Sequence, residues 1–183
     1  EAIRLTGDDT HARRRRLNLL AVVLKHAARR DEALAVGERA RLLGPTDPAV
    51  LHNLATLAEA RGRTEEAMAL YRKALEAGPA PTTSWRLGHL LLSTDDPGGA
   101  LQAFRSAAGT LDRWTWPRST RWWPAHEVGK LLTQAGRFKD AVGWFDDALR
   151  EARTADAIRE IRSWASFAEA LAKDPGLETQ ELD

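Results

Sequence analysis

The chain's five histidines, at positions 11, 26, 52, 89 and 126, are the first residues whose chemistry could be catalytic or metal-binding. A zinc peptidase helix needs two histidines one turn apart, with a glutamate beside the first to activate water. The nearest string, His126-Glu127-Val128-Gly129-Lys130, has Lys130 where the second histidine would stand, so that reading fails. There is no G-x-S-x-G nucleophile elbow, no phosphate-cradling G-x-x-x-x-G-K and no dinucleotide G-x-G-x-x-G. The absence of cysteine removes thiolate zinc sites, cysteine nucleophiles and disulfide scaffolds together, and it suits a reducing, cytoplasmic compartment. The expectation is a protein that is not an enzyme and carries neither metal nor cofactor.

A second cluster with chemical potential is GTLDRWTWPRSTRWW, Gly109 to Trp123. Here Trp114, Trp116, Trp122 and Trp123 interleave with Arg113, Arg118 and Arg121. Such alternation can stack single-stranded bases. It can equally fold the loop down onto neighbouring helices as a plug, or form the rim of a peptide groove, where Trp and Arg are typical anchors. All three readings stay open at this point. The formal net charge of +1, from 27 basic and 26 acidic residues, supplies no global field toward nucleic acid. No apolar run approaches the roughly 20 residues of a membrane span. Neither nucleic acid nor membrane is therefore the expected partner.

The elements that must position these residues are organised around Pro48 to Pro79, PAVLHNLATLAEARGRTEEAMALYRKALEAGP. It reads as two helices closed by a turn at Arg61-Gly62-Arg63. Leu51, Leu54 and Ala55 mark the first helix, and Ala67, Tyr71 and Ala74 the second, before Pro79 ends the unit. Ala55 and Ala67 stand where two helices must approach closely, with larger residues filling the gaps beside them. This pattern resembles the tetratricopeptide repeat. The resemblance implies an all-α, right-handed α-solenoid of helical hairpins, because one hairpin cannot bury its own apolar faces and copies must stack.

The copies are present. Leu17, Leu20, Ala21 and Leu24 followed by Ala33, Gly37 and Ala40 give one, and Ala33 to Ala67 is the 34-residue period of the family. A third runs through Leu87, Gly88, Leu91, Ala100, Phe104 and Ala107, and a fourth through Val128, Gly129, Leu132, Gly136, Ala141, Phe145 and Ala148. Ala100 to Ala141 is 41 residues, so the Trp/Arg stretch is an insert, expected as a longer helix end plus an ordered loop. Ser119 or Thr120 is the expected cap of the helix that follows, with Pro124 in its first turn. The expected division is a remnant of a preceding repeat plus a cap at 1–13 and repeats at 14–47, 48–80 and 81–108. The insert then spans 109–121, the fourth repeat 122–153, a C-terminal capping helix 154–174 and an acidic tail 175–183. Gly7 to Thr10 is expected to break one helix and cap the next. Because the chain starts at Glu1, it is expected to be a piece of a larger regulatory or assembly protein.

Carrying the family's geometry over gives a concave groove lined by the first helix of each copy. The implied lining is Asn18, Val22, Lys25 and His26, then His52, Asn53, Thr56 and Glu59, then Thr82, Trp85, Arg86 and His89, and finally Trp123, His126, Glu127, Lys130 and Thr133. Some members grip a terminal carboxylate with five groove residues. Asn53 and Arg86 match two of those positions, while Asn18, Val22 and Thr82 depart from the other three. The implied function is a scaffold that binds a peptide or protein segment, with Arg86 available to a carboxylate and Trp85 as an apolar anchor. His52, His89 and His126 could also line one wall, but a metal would need their nitrogens within about 2.1 Å of one point.

Overall fold

A computed structural model describes residues 7–113, 115, 117–174, 176 and 177. The expected remnant at Glu1 to Thr6, Trp114, Trp116 and most of the acidic tail lie outside the described residues. Among the described residues there are nine α-helices, two short 3-10 turns and no strand. They fall into two compact units, Glu1–Gly78 and Pro79–Asp183.

In the first unit α1 (Gly7–His26) pairs with α2 (Arg30–Leu43), and α3 (Pro48–Glu59) pairs with α4 (Thr64–Leu75). Helix α3 also packs on α1 and α2. Two apolar clusters bind this layer: Leu24, Ala33 and Leu57 with Val36, and Ala40, Val50 and Leu54 with Leu17, Leu34 and Leu70. In the second unit α5 (Pro81–Ser93) pairs with α6 (Pro97–Ala108), and α7 (Trp123–Gln134) pairs with α8 (Phe138–Glu151). Helix α6 packs on α7, and α9 (Ala155–Ala172) lies against α8 and α7, with no further helix after it among the described residues.

All four hairpins close with the same turn. The N–H groups of Arg29, Arg63, Asp96 and Arg137 donate to the carbonyls of Leu24, Ala58, Leu91 and Leu132, five residues back, at 2.8–3.0 Å. That bond requires a left-handed residue just before the donor. Gly62 (φ 72°) and Gly136 (φ 75°) supply it without steric cost, whereas Ala28 and Asp95 adopt φ 60° with a Cβ. The donor residue then starts the second helix, and its carbonyl accepts from Ala33, Ala67, Ala100 or Ala141. All four of those alanines are fully buried. In α2, α4 and α6 the recurring alanine is the first buried position after the turn, and in α8 only Phe138 is buried before it; at each place a small side chain lets the second helix settle on the first.

The first helices are equally constrained. A Cβ added at Gly88 would stand 2.6 Å from the Phe104 ring, and one at Gly129 would stand 2.6 Å from Phe145. Helices α5 and α7 thus rest their backbones on the aromatic of their own partner helix. Alanine takes the corresponding place in α3, Ala55, and is fully buried.

Three local expectations are corrected. Gly7 to Thr10 does not stand as a cap ahead of α1 but forms its first turn; the helix these residues were expected to break lies outside the described residues. The run Arg13 to Arg16 consequently lies one to two turns in, and Arg14 pairs with Asp47, the cap of α3, at 2.9 Å. The insert does not lengthen α6, which ends at Ala108. It forms short 3-10 turns at Leu111–Arg113 and Arg118–Thr120, the second following Pro117. Neither Ser119 nor Thr120 caps α7: Trp122 is its N-cap with no side-chain bond, and Thr120 Oγ1 donates instead to the Pro117 carbonyl at 2.7 Å.

Candidate functional site

In the first unit the polar residues expected to face a ligand are largely bonded to one another. Asn53 Nδ2 donates to Asn18 Oδ1 at 2.9 Å, and Lys25 Nζ donates to Thr56 Oγ1 at 3.1 Å, so α3 and α1 are laced together. Thr56 is buried and donates in turn to the Asn53 carbonyl. His52 packs on the Tyr71 ring at 5.6 Å, and the Tyr71 hydroxyl donates to Glu59 at 2.7 Å. Val22 lines a cavity of about 370 Å³ with His11, Arg14, Asn18 and Asp47, while His26 is exposed.

In the second unit the first helices carry a continuous array of rings. Trp85 of α5 stacks on Trp123 of α7, centroids 5.3 Å apart and planes 27° from parallel. His89 meets Trp85 at 4.2 Å and Phe104 at 5.1 Å. Trp122 touches both Trp123 and His126, and His126 leans on Phe145 at 5.8 Å. Phe145 stacks on Trp164 of α9, which meets Phe167 edge-on. Lys130 Nζ sits 5.9 Å above the Trp164 ring, where its charge meets the negative ring face, and it also pairs with Glu127 at 3.0 Å. The result is a half-exposed strip: Trp85, Arg86, His89, Trp123, Glu127 and Lys130 are all partly open to solvent.

Three implied groove residues lie beneath that strip. Thr82 and Thr133 are buried, the first near Thr115 Oγ1 and the second donating to the Gly129 carbonyl. His126 is only 2% exposed, wedged between Trp122 and Phe145. Burial pushes its pKa down to about 4, with the Glu127 charge pulling upward and Lys130 downward. It is a neutral core residue, removed from the surface a ligand would meet. Within the second unit His89 and His126 differ in register: His126 stands three residues before the buried Gly129 of its helix, whereas His89 directly follows the buried Gly88. Among the described residues no three His, Cys, Asp or Glu side chains converge on a point a metal could occupy.

The insert is tied down by its arginines. Arg113 donates to the Pro79 carbonyl at 3.4 Å, and Arg121 donates to the Leu111 carbonyl at 2.8 Å and pairs with Glu151. Trp122 is buried. Sequence reasoning missed Trp164 and Phe167 as part of the array. Their i, i+3 spacing, which puts two rings on one face of α9, was the available signal.

Comparison with known proteins fits this architecture. A family model of the tetratricopeptide repeat matches residues 48–88. No curated protein matches the chain. Among solved structures, PilF of Pseudomonas aeruginosa is similar over 94% of this chain and 79% of its own, with a TM-score of 0.68 and 17% identity. YrrB, described as a tetratricopeptide-repeat protein with an unusual peptide-binding site, is similar over 88% and 87%, with a TM-score of 0.63 and 20% identity. The type III secretion translocator chaperone SycD of Yersinia enterocolitica covers 67% of this chain and 93% of its own, at 0.60 and 14%. Residues 48–88 are a tetratricopeptide repeat, and the chain has the all-α hairpin-solenoid fold of the tetratricopeptide-repeat proteins.

Proposed function

We propose that the chain is a non-enzymatic scaffold that holds a peptide or protein segment against the first helices of its second unit. The observation that carries this reading is the half-exposed Trp85–Trp123 stack, drawn from two successive first helices. Two stacked indoles give a rigid apolar anchor that loses little side-chain entropy on binding. Arg86 follows Trp85 directly and offers a charge-assisted bond to a carboxylate of the segment, while Glu127 and Lys130 add one group of each sign for its backbone and polar side chains. The buried Trp122 and the bonds of Arg113 and Arg121 favour the insert as a support for this strip over a base-stacking ladder. That YrrB, a protein of similar fold, is described as having a peptide-binding site supports a peptide as the ligand class.

The test is an affinity capture from native lysate with the wild-type chain beside a Trp85→Ala/Arg86→Ala variant, each washed at low and high salt. A protein lost only from the variant supports the reading. Equal recovery by both, or recovery of nucleic acid that salt removes, overturns it.

A second reading, self-association, rests on apolar side chains left open on α1 and α9: Leu19 at 65%, Val23 at 55% and Phe167 at 54% exposure. Sedimentation as a monomer at high concentration counts against it.

A further inference from the structure

The outer face of α1 is open and apolar, and the same unit contains a second helix on which the equivalent face is covered. Ala21 of α1 is buried like Ala55 of α3, 34 residues on, so the two helices share one register. In that register Leu20 and Val23 of α1 correspond to Leu54 and Leu57 of α3. Leu54 and Leu57 are 1% exposed, whereas Leu20 is 45% exposed and lies beside the exposed Leu19 and Val23. The difference is a neighbouring helix. Leu57 packs on Ala33 and Val36 of α2, and Val50 and Leu54 cluster with Ala40. Between them Leu54 crosses Gly37, where an added Cβ would stand 2.8 Å from its Cδ2. Small side chains on α2 thus seat large ones on α3, and residue numbers rise along α2 as they fall along α3, so the two run antiparallel.

Toward its start α1 departs from α3 in charge. Val50 is matched by Arg16, and Asp47 by Arg13. Arg13, Arg16, Leu20 and Val23 stand at i, i+3, i+7 and i+10, one stripe of the helix. Both arginines are exposed, and neither has a hydrogen bond or ion pair among the described residues. A helix lying on α1 as α2 lies on α3 would bring small residues to Val23 and Leu20. Toward its C-terminal end it would then bring side chains to Arg16 and Arg13, where carboxylates fit.

From this we propose that the outer face of α1 docks an acidic amphipathic helix of a partner protein, antiparallel to α1, with the pattern Ala-x-x-x-Ala-x-x-Glu-x-x-x-Glu. Its alanines seat Val23 and Leu20, and its carboxylates pair with Arg16 and Arg13. The precedent of α2, a helix covering the equivalent positions, favours this occupant over an anionic membrane. The site belongs to the first unit and does not rest on the Trp85–Trp123 strip.

The test is a titration of the ¹⁵N-labelled full chain with acetyl-Ala-Gln-Ser-Leu-Ala-Gln-Gln-Glu-Gln-Ser-Leu-Glu-Gln-Ala-amide. The backbone amides of Leu19, Leu20 and Val23 should shift saturably. Affinity should fall about fivefold for the Gln-for-Glu peptide and in Arg13→Gln/Arg16→Gln, the usual worth of exposed ion pairs. It should fall about tenfold in Leu20→Gln/Val23→Gln, which loses the apolar contact. All four side chains are exposed, so the melting temperatures should stay unchanged. If Leu20→Gln/Val23→Gln melts lower, the arginine variant and the Gln peptide still decide. A nitroxide at the amino end of the peptide should broaden Val23 more than Arg13. The proposal is overturned if no α1 amide moves at millimolar peptide, if the Gln peptide binds equally well, or if the nitroxide broadens Arg13 more. It is likewise overturned if the same amides shift on dilution of the chain alone, which would mark pairing between copies. Sedimentation with phosphatidylserine vesicles, lost in Arg13→Gln/Arg16→Gln, by a chain that ignores the peptide would replace the helix with a membrane surface.

Discussion

Replacing Gly129 by alanine probes the close approach of α7 to α8 and carries its own control in Gly143. The new Cβ would stand 2.6 Å from Cε1 of Phe145 and 2.8 Å from Cδ1 and Cζ. Ordinary contact needs at least 3.4 Å, so the ring or the helix must give by about 0.8 Å. Phe145 cannot swing aside, since it is fully buried between His126 and Trp164. Overpacking of this kind costs about 1 to 3 kcal/mol. Alanine returns about 0.8 to 1 kcal/mol of helix propensity, leaving a net loss of up to about 2 kcal/mol. Gly143 lies in the interior of α8, and a Cβ there meets nothing within 4 Å. Gly143→Ala should therefore keep the propensity gain whole and stabilise by about 1 kcal/mol. Urea unfolding followed by far-ultraviolet circular dichroism should place the two variants on opposite sides of wild type. Equal midpoints, or a Gly129→Ala protein more stable than Gly143→Ala, would refute the close approach.

Other consequences can be checked with the same transition. His126 has a folded pKa near 4, below its unfolded value of about 6.5, so the unfolded chain takes up the proton first. Its contribution is complete above pH 6.5 and is lost as the pH falls toward 4, by an amount on the order of 3 kcal/mol. His126→Phe should flatten the stability profile between pH 4 and 6.5 relative to wild type, and parallel profiles would count against the buried neutral ring. Ala28→Gly should raise stability by about 0.5 to 1 kcal/mol, because it relieves a left-handed Cβ at the α1–α2 turn; no gain would mean that the turn is not held as described. Ala67→Leu should lose about 1 to 3 kcal/mol at a fully buried helix crossing, and an unchanged melting temperature would displace the α3–α4 register.

The hairpins were legible because close helix packing leaves a sequence trace that few other arrangements produce. Small residues recur at Ala33, Ala67, Ala100 and Ala141, and the bulky partners Tyr71, Phe104 and Phe145 follow at near-constant spacing. Turns were legible where glycine marks them, at Gly62 and Gly136, and less so at Ala28 and Asp95, which take the same conformation without the usual residue. The ends of α1 and α6 were not legible. A glycine near a helix start reads equally as a break, and a Trp-rich stretch has no periodicity to set its length. Within the candidate site, Trp85, Arg86 and Trp123 were recognisable from their helix positions. The burial of His126, Thr82 and Thr133 was not, because a one-residue change of register decides whether a first-helix side chain faces solvent or its own hairpin partner. Asn18 and Lys25 were read as ligand-facing, yet their bonds to Asn53 and Thr56 depend on how α1 and α3 meet, which no local pattern records.

A peptide selected on the protein itself would show whether the Trp85–Trp123 strip is the binding surface. Segments recovered from a display library panned on the wild-type chain would be labelled and measured by fluorescence anisotropy against wild type, Trp85→Ala and Arg86→Ala. Each substitution should weaken binding by about 1 to 2 kcal/mol, roughly 5- to 30-fold, while the circular dichroism spectrum stays unchanged. Affinities that stay the same in both folded variants would contradict the assignment of that strip as the binding surface.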